Sequence, residues 1–170
     1  TTVAFSRNIF VTGQSTYGTL GNNVGQPNQR KSSPTQIGSG TNFEFASVKK
    51  NNMQAAFWMK RESEANYSLW MVGAMGDSGQ SGLNISSSNV NRSSPTQVGT
   101  DTNWNMVSLA SGHCIGTKTD GTLWAWGYGD DGALGINVGN TRRSSPTQIG
   151  TDTTWTSYHV CGEYWNCAIK

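Results

Sequence analysis

Few groups in this chain could do covalent or metal chemistry: two histidines, three cysteines and ten carboxylates among 170 residues. His113 is followed directly by Cys114, and His159 stands two residues before Cys161. A thiol beside an imidazole is the start of a nucleophilic site, because the base favours the thiolate. Nothing in the spacing singles out such a pair here, and no Asp or second His lies at ligand spacing from His113. His113 falls on a pattern that recurs along the chain, which makes it a hydrogen-bonding core residue. Cys114, Cys161 and Cys167 form neither an even-numbered disulfide framework nor a Cys-x-x-Cys metal pattern. Small buried thiols are the default, and a Cys161–Cys167 disulfide across a turn is the alternative.

Asp77, Asp130 and Asp131 lie in glycine-rich loops. Calcium would want such oxygens, but the EF-hand spacing and the glycine-aspartate nonapeptide are both missing. Turn chemistry, with Asp capping its own backbone, accounts for them. A hydrolase would need a carboxylate pair or a triad, and the acidic residues here follow turn positions instead. The expectation is a protein without catalysis, cofactor or metal.

Cations recur more regularly. Arg30 and Lys31, Arg92, and Arg142 and Arg143 each precede a Ser-Ser-Pro-Thr-Gln run. One reading is a repeated basic rim that binds an acidic or glycan partner. The other is edge protection, since cations beside an exposed strand discourage edge-to-edge pairing. Asn66-Tyr-Ser, Asn84-Ile-Ser and Asn91-Arg-Ser satisfy the glycosylation pattern, as chance allows in a chain rich in Asn and Ser. Of the seven Trp, Trp124 and Trp126 sit in the most apolar run and read as core. Trp58, Trp70 and Trp165 are open to either core or sugar stacking.

The elements that position these residues are repeats. RKSSPTQIG, NRSSPTQVG and RRSSPTQIG recur, with Ser32, Ser93 and Ser144 spaced 61 and 51 residues apart. Runs ending at Gly13, Gly73 and Gly127 (IFVTG, LWMVG, LWAWG) keep step with them, and so do the loops STYGTLGNN, GDSGQSGLN and GDDGALGIN. Periods of this size mark blades or solenoid units, each unable to bury its faces alone. Each unit reads as four short antiparallel strands. LWAWG is apolar throughout, so both its faces should be covered. The Ser-Ser-Pro-Thr-Gln strand is polar and carries Pro, as an outermost strand would, with its ladder expected over Pro34–Ile37 and its equivalents. Phe43–Val48, Trp104–Leu109 and Trp155–Val160 align as first strands. Lys60, Lys118 and Lys170 align at the ends of second strands. Thr119–Thr122 is a tight turn in which Gly121 supplies a positive φ.

Bulk composition agrees. Charged residues make up 13% and hydrophobic ones 34%, with Gly, Ser, Thr and Asn in excess, which suits many turns and excludes a helical protein. A net charge of +2 is too weak to argue for nucleic acid. No apolar run reaches membrane-spanning length.

TDGTLWAWG, the Gly-x-x-Gly-x-Leu-Gly run at Gly129–Gly135, the Pro of SSPTQIG and the Trp104–His113 run together resemble the RCC1 family of β-propeller repeats. The resemblance covers three copies over essentially the whole chain. Its repeats are similar to those of bacterial and phage structural proteins. It implies an all-β, propeller-like fold of three four-stranded blades in one domain over residues 1–170. A complete propeller of this family has seven blades. The acidic loops and wedge by which the family's founder acts on a small GTPase have no counterpart, so exchange activity is not implied.

Two closures are open: a compact pseudo-threefold body in which the terminal strands complete one shared blade, or an arc completed by other chains or further sequence. The whole number of repeats favours the first. The expected function is a structural or adhesive module on a virion surface, as decoration, knob or tail component. Its partners would be other structural proteins, copies of itself or a host-surface glycan, not nucleic acid or membrane. The alternative is an extracellular bacterial domain that binds glycan or protein through its loops.

Overall fold

The computed structural model describes residues 7–15, 18, 20–23, 29–37, 42–49, 55–61, 66–75, 78–85 and 90–170. Among them the chain is strand and turn, with a single 3-10 turn at Asp130–Gly132. One complete antiparallel unit is formed by β3 (Phe43–Lys49), β4 (Ala55–Arg61), β5 (Tyr67–Met75) and β6 (Val90–Gln97). A second is formed by β7 (Trp104–Leu109), β8 (His113–Lys118), β9 (Leu123–Gly129) and β10 (Thr141–Gln148). Before them, β1 (Ile9–Ser15) and β2 (Gln29–Ile37) make the outer half of a blade. After them, β11 (His159–Cys161) and β12 (Asn166–Ala168) make the inner half of another. Among the described residues strand pairing links the two whole blades only where Tyr67 faces Trp104, so they are separate blades packed on one another.

The core lies between blades. On β5, Leu69 and Met71 join Val98, Trp104, Val107, Cys114 and Trp126 in the seam towards the following blade. Val72 and Trp70 turn the other way, onto Ile9, Val11 and Ile37 of the first half-blade. Alternate side chains of one strand thus enter two different seams, which is why these strands are apolar at every position.

The outer strands begin earlier than the sequence suggests. β2 runs from Gln29, because the ladder is interrupted, not started, at the Ser-Ser-Pro segment. Lys31 faces Gly13 and Thr35 faces Val11. The same offset recurs between Arg92 and Thr96 and between Arg143 and Thr147. Ser-Ser-Pro bulges out of each outer strand, so its Pro needs no ladder hydrogen bond. The facing glycines Gly13, Gly73 and Gly127 have φ of 108°, 100° and 103°, a region other residues avoid.

Two expectations are corrected. His159 faces Ala168 as Val107 faces Gly116, so β11 is shifted one residue from the alignment of Trp155–Val160 with Trp104–Leu109. The additional residue lies between Trp155 and His159, because the turn from Cys161 to Asn166 is as long as that from Leu109 to Cys114. It buries His159 and exposes Tyr158. The compact threefold body gives way to a partial propeller arc. Among the described residues β1 pairs only with β2 and β12 only with β11. Residues 1–6 lie outside the described residues. Broad seams set adjacent blades at a propeller's shallow angle, and three blades at that angle do not come full circle.

Candidate interaction surface

His113 and Cys114 are built into the core. His113 is buried, with Nε2 2.9 Å from Oδ1 of Asn166. The Asn166 amide also donates to the Ala133 carbonyl, so this pair ties the last half-blade to the whole blade before it. Burial pushes the Cys114 thiol well up, and nearby Cys161 adds to the shift, the opposite of what activates a nucleophile. None of the three cysteines is in a disulfide. Asn166 faces Cys161 and Val160 faces Cys167, so the last hairpin does not juxtapose Cys161 and Cys167.

Asp130 and Asp131 open the 3-10 turn that follows Gly129, and Asp131 sits at φ 58°. Asp130 bonds the Tyr128 hydroxyl and so pushes the phenol pKa up. Asp77 lies outside the described residues. Asp120 does take the capping role: its Oδ1 accepts from the Thr122 amide at 3.0 Å and hydroxyl at 2.6 Å, which lowers its pKa. Among the described residues no cluster of three His, Cys, Asp or Glu could hold a metal ion.

A repeated aromatic clasp was not foreseen. The Lys118 ammonium lies 3.6 Å from the Trp124 ring centroid and 5.1 Å from that of Trp104. Lys60 stands over Trp70 at 5.8 Å, and Lys170 over Trp155 at 5.9 Å. The recurring Lys at the end of each second strand was the available signal. Its partners arrive from other strands, so spacing alone does not show them.

The cations before Ser-Ser-Pro all lie on outer strands. Arg30 and Arg142 are exposed, while Lys31, Arg92 and Arg143 are half-buried. The Arg142 guanidinium stacks 5.5 Å from the Tyr128 ring centroid. Arg143 Nη1 donates to Thr141 Oγ1 at 2.9 Å. Beside Lys31, at the junction of the first half-blade and the first whole blade, a cleft of about 470 Å³ is lined by Asn22, Asn23, Thr35, Gln36 and Ser94.

Behind the rim, two of the glycine-rich loops reach the next blade. The Asn23 amide donates to the Ser93 carbonyl at 2.7 Å, and Asn84 to Ser144 at 2.7 Å. A Cβ on Gly18 would come within 2.6 Å of Ser93 Cα, and one on Gly79 within 2.7 Å of Ser144 Cα. Glycine is therefore required for the closeness of the seam as well as for its φ.

This blade-to-blade arrangement recurs in known proteins. Residues 120–169 match the family model described as regulator of chromosome condensation (RCC1) repeat. The described fold matches Prp20p of Saccharomyces cerevisiae with a TM-score of 0.73 at 15% identity, covering 95% of this chain and 39% of that one. The chain has an RCC1-like repeat fold. The likeness extends to yeast RCC1 (Prp20) bound to Kap60, with a TM-score of 0.68 at 16% identity over 94% and 37% of the two chains. It extends also to human WBSCR16, with a TM-score of 0.64 at 20% identity over 91% and 38%. At these identities the likeness is one of fold, and the chain spans well under half the length of each structure. No curated protein matches the sequence.

Proposed function

We propose that this RCC1-like module is a non-enzymatic structural or adhesive component of a virion surface, and that its basic rim is the face it presents to a partner. One observation carries the reading. Lys31, Arg92 and Arg143 stand at one position on three successive outer strands, facing Gly13, Gly73 and Gly127 beside the same bulge, so the arc presents one cation per blade at regular intervals. Regular spacing suits a partner that is itself repetitive, such as an acidic structural protein in a lattice. The turn-rich composition and the phage-like style of the repeats support the virion setting. Prp20p is described with binding to Gsp1p and histones, and yeast RCC1 with Kap60, so protein partners suit this fold.

A second reading is an extracellular glycan binder. The polar cleft of about 470 Å³ beside Lys31, lined by Asn, Thr, Gln and Ser side chains, favours it. Co-sedimentation with virus particles, run in parallel with a glycan array, separates the two. Retention on particles that is lost in the Lys31→Glu/Arg92→Glu/Arg143→Glu variant supports the rim. Absence of particle binding together with an array signal lost on Asn22→Ala supports the cleft instead.

A further inference from the structure

The glycine-rich loops of the three copies share one backbone. Gly21 and Asn23 have φ of 65° and 60°, Gly82 and Asn84 of 69° and 58°, and Gly135 and Asn137 of 63° and 57°. The residue inside each pair differs. It is Leu83 in the second copy and Ile136 in the third, and Leu83 packs against the core of its seam. In the first copy it is Asn22, a half-buried amide where the other copies carry an aliphatic side chain. A repeat that breaks its own packing rule at one copy marks that place for function. Asn22 lines the cleft of about 470 Å³ between its loop and the bulge of β6, a size within the roughly 300–1,000 Å³ of small-ligand sites.

The walls of the cleft are braced. The Asn23 amide holds the Ser93 carbonyl at 2.7 Å. The Thr35 hydroxyl donates to the Ser33 carbonyl at 3.3 Å, and the Thr96 hydroxyl to the Ser94 carbonyl at 3.3 Å, so the bulges on both sides keep their shape. All these parts belong to two neighbouring outer strands and the loop between them, so the cleft depends on neither end of the chain. Lys31 lines it with an uncommitted charge. Among the described residues its ammonium makes no ion pair, hydrogen bond or ring contact, whereas Lys60, Lys118 and Lys170 each stand over a tryptophan. The cations at the equivalent positions are engaged: Arg92 Nη1 donates to the Asn91 carbonyl at 3.3 Å and Arg143 Nη1 to Thr141 Oγ1 at 2.9 Å.

We propose that this cleft binds an acidic sugar, a uronic or sialic acid residue of a glycan, with Lys31 on its carboxylate. The inference rests on the glycan reading of the cleft and narrows it to charged sugars. A carboxylate is held best by a cation that has no counter-ion of its own, and Lys31 is such a group. Sugar hydroxyls need donors and acceptors on more than one side. The amides of Asn22 and Gln36 supply them from the loop and β2, and the hydroxyls of Thr35 and Ser94 from β2 and the facing bulge. Pro95 adds an apolar wall against which the C–H face of a pyranose packs. A neutral sugar in the same place would cover a half-buried ammonium without pairing it, at a cost in affinity.

The test is calorimetric titration of the 170-residue chain with digalacturonic acid, with sialyllactose, with the methyl ester of each, and with lactose. The expected result is binding of at least one of the two acids. Its methyl ester, which keeps the shape and loses the charge, should bind about tenfold or more weakly, and Lys31→Met should weaken the acid by as much. Lys31→Arg should keep the binding. Asn22→Leu, which copies the residue of the second repeat, should abolish it and leave the circular dichroism and the melting curve unchanged. Acid and ester bound equally, with both lost in Asn22→Leu, overturn the acidic-sugar inference and leave the glycan cleft standing. Binding that survives Asn22→Leu overturns the placement of the sugar in this cleft. Binding of none of these sugars overturns the inference and the glycan reading together.

Discussion

The ammonium of Lys118 stands 3.6 Å from the centroid of Trp124 and donates to Asp101 Oδ2 at 2.7 Å. Its side chain is 6% exposed, whereas that of Lys170, which pairs with Asp152, is 50% exposed. A desolvated cation over an aromatic face is worth up to about 2 kcal/mol, and an exposed pair contributes less than about 1 kcal/mol. Lys118→Met should therefore cost about 1–3 kcal/mol and Lys170→Met less than about 1 kcal/mol. Urea midpoints of the two variants check this. Equal midpoints would mean that the clasp is decoration.

Trp126 is fully buried in the seam between the whole blades, and its Nε1 donates to the Gln80 carbonyl of the preceding blade at 3.0 Å. Trp126→Ala removes the packing and leaves that carbonyl only the weak Cys114 thiol donor at 3.7 Å, at a cost of about 3–5 kcal/mol. Thr151→Ala, in an exposed loop, should stay within about 0.5 kcal/mol. Coincident denaturation curves would contradict placement of the core between blades.

His159 occupies the position that Val107 fills in the preceding blade. Burial lowers its pKa below the usual 6.5, and its contact with the Met106 backbone only partly opposes this. The unfolded chain therefore takes up a proton that the folded chain resists. Stability from this residue is fully present above about pH 6.5 and is lost as pH falls through the lower folded value. His159→Val should flatten that acid-side loss. Melting temperatures at about pH 7.5 and 5.5 for both proteins, showing equal drops, would refute the assignment.

Gly121 and Gly99 both have positive φ, 77° and 64°, but only Gly121 is crowded: a Cβ there would lie 2.0 Å from the Thr153 carbonyl oxygen. Gly99 has nothing within 4 Å. Gly99→Ala should cost about 1 kcal/mol, the strain of a left-handed residue. Gly121→Ala should cost about 2–4 kcal/mol, because it also displaces the Trp155 amide, which bonds the Gly121 carbonyl at 3.0 Å. Thermal melts of the two alanine variants decide between strain alone and strain with collision.

The sequence by itself determined the repeat, the four-stranded unit, the polar outer strand and the core role of His113 and Trp126. Each of these follows from local rules. Strand period two, turn glycines and apolar runs act over a few residues, and three copies reinforce the signal. Thr119–Thr122 is the clearest instance, because Asp120 and Gly121 make their turn from their own backbone and nearest neighbours. The shift that puts His159 at a core position was not legible. A one-residue slip in a short hairpin leaves the local pattern nearly unchanged while exchanging which side chain is buried. Tertiary structure alone decided what joins the blades. Ser93 and Ser144 lie 70 and 60 residues from the asparagines that hold them, Asn23 and Asn84, and no sequence period links donor to acceptor. It also decided that three blades make an arc. Curvature is set by how bulky side chains such as Trp104, Trp126 and Met71 fill the seams, and volume at a seam is summed over strands that the sequence keeps apart.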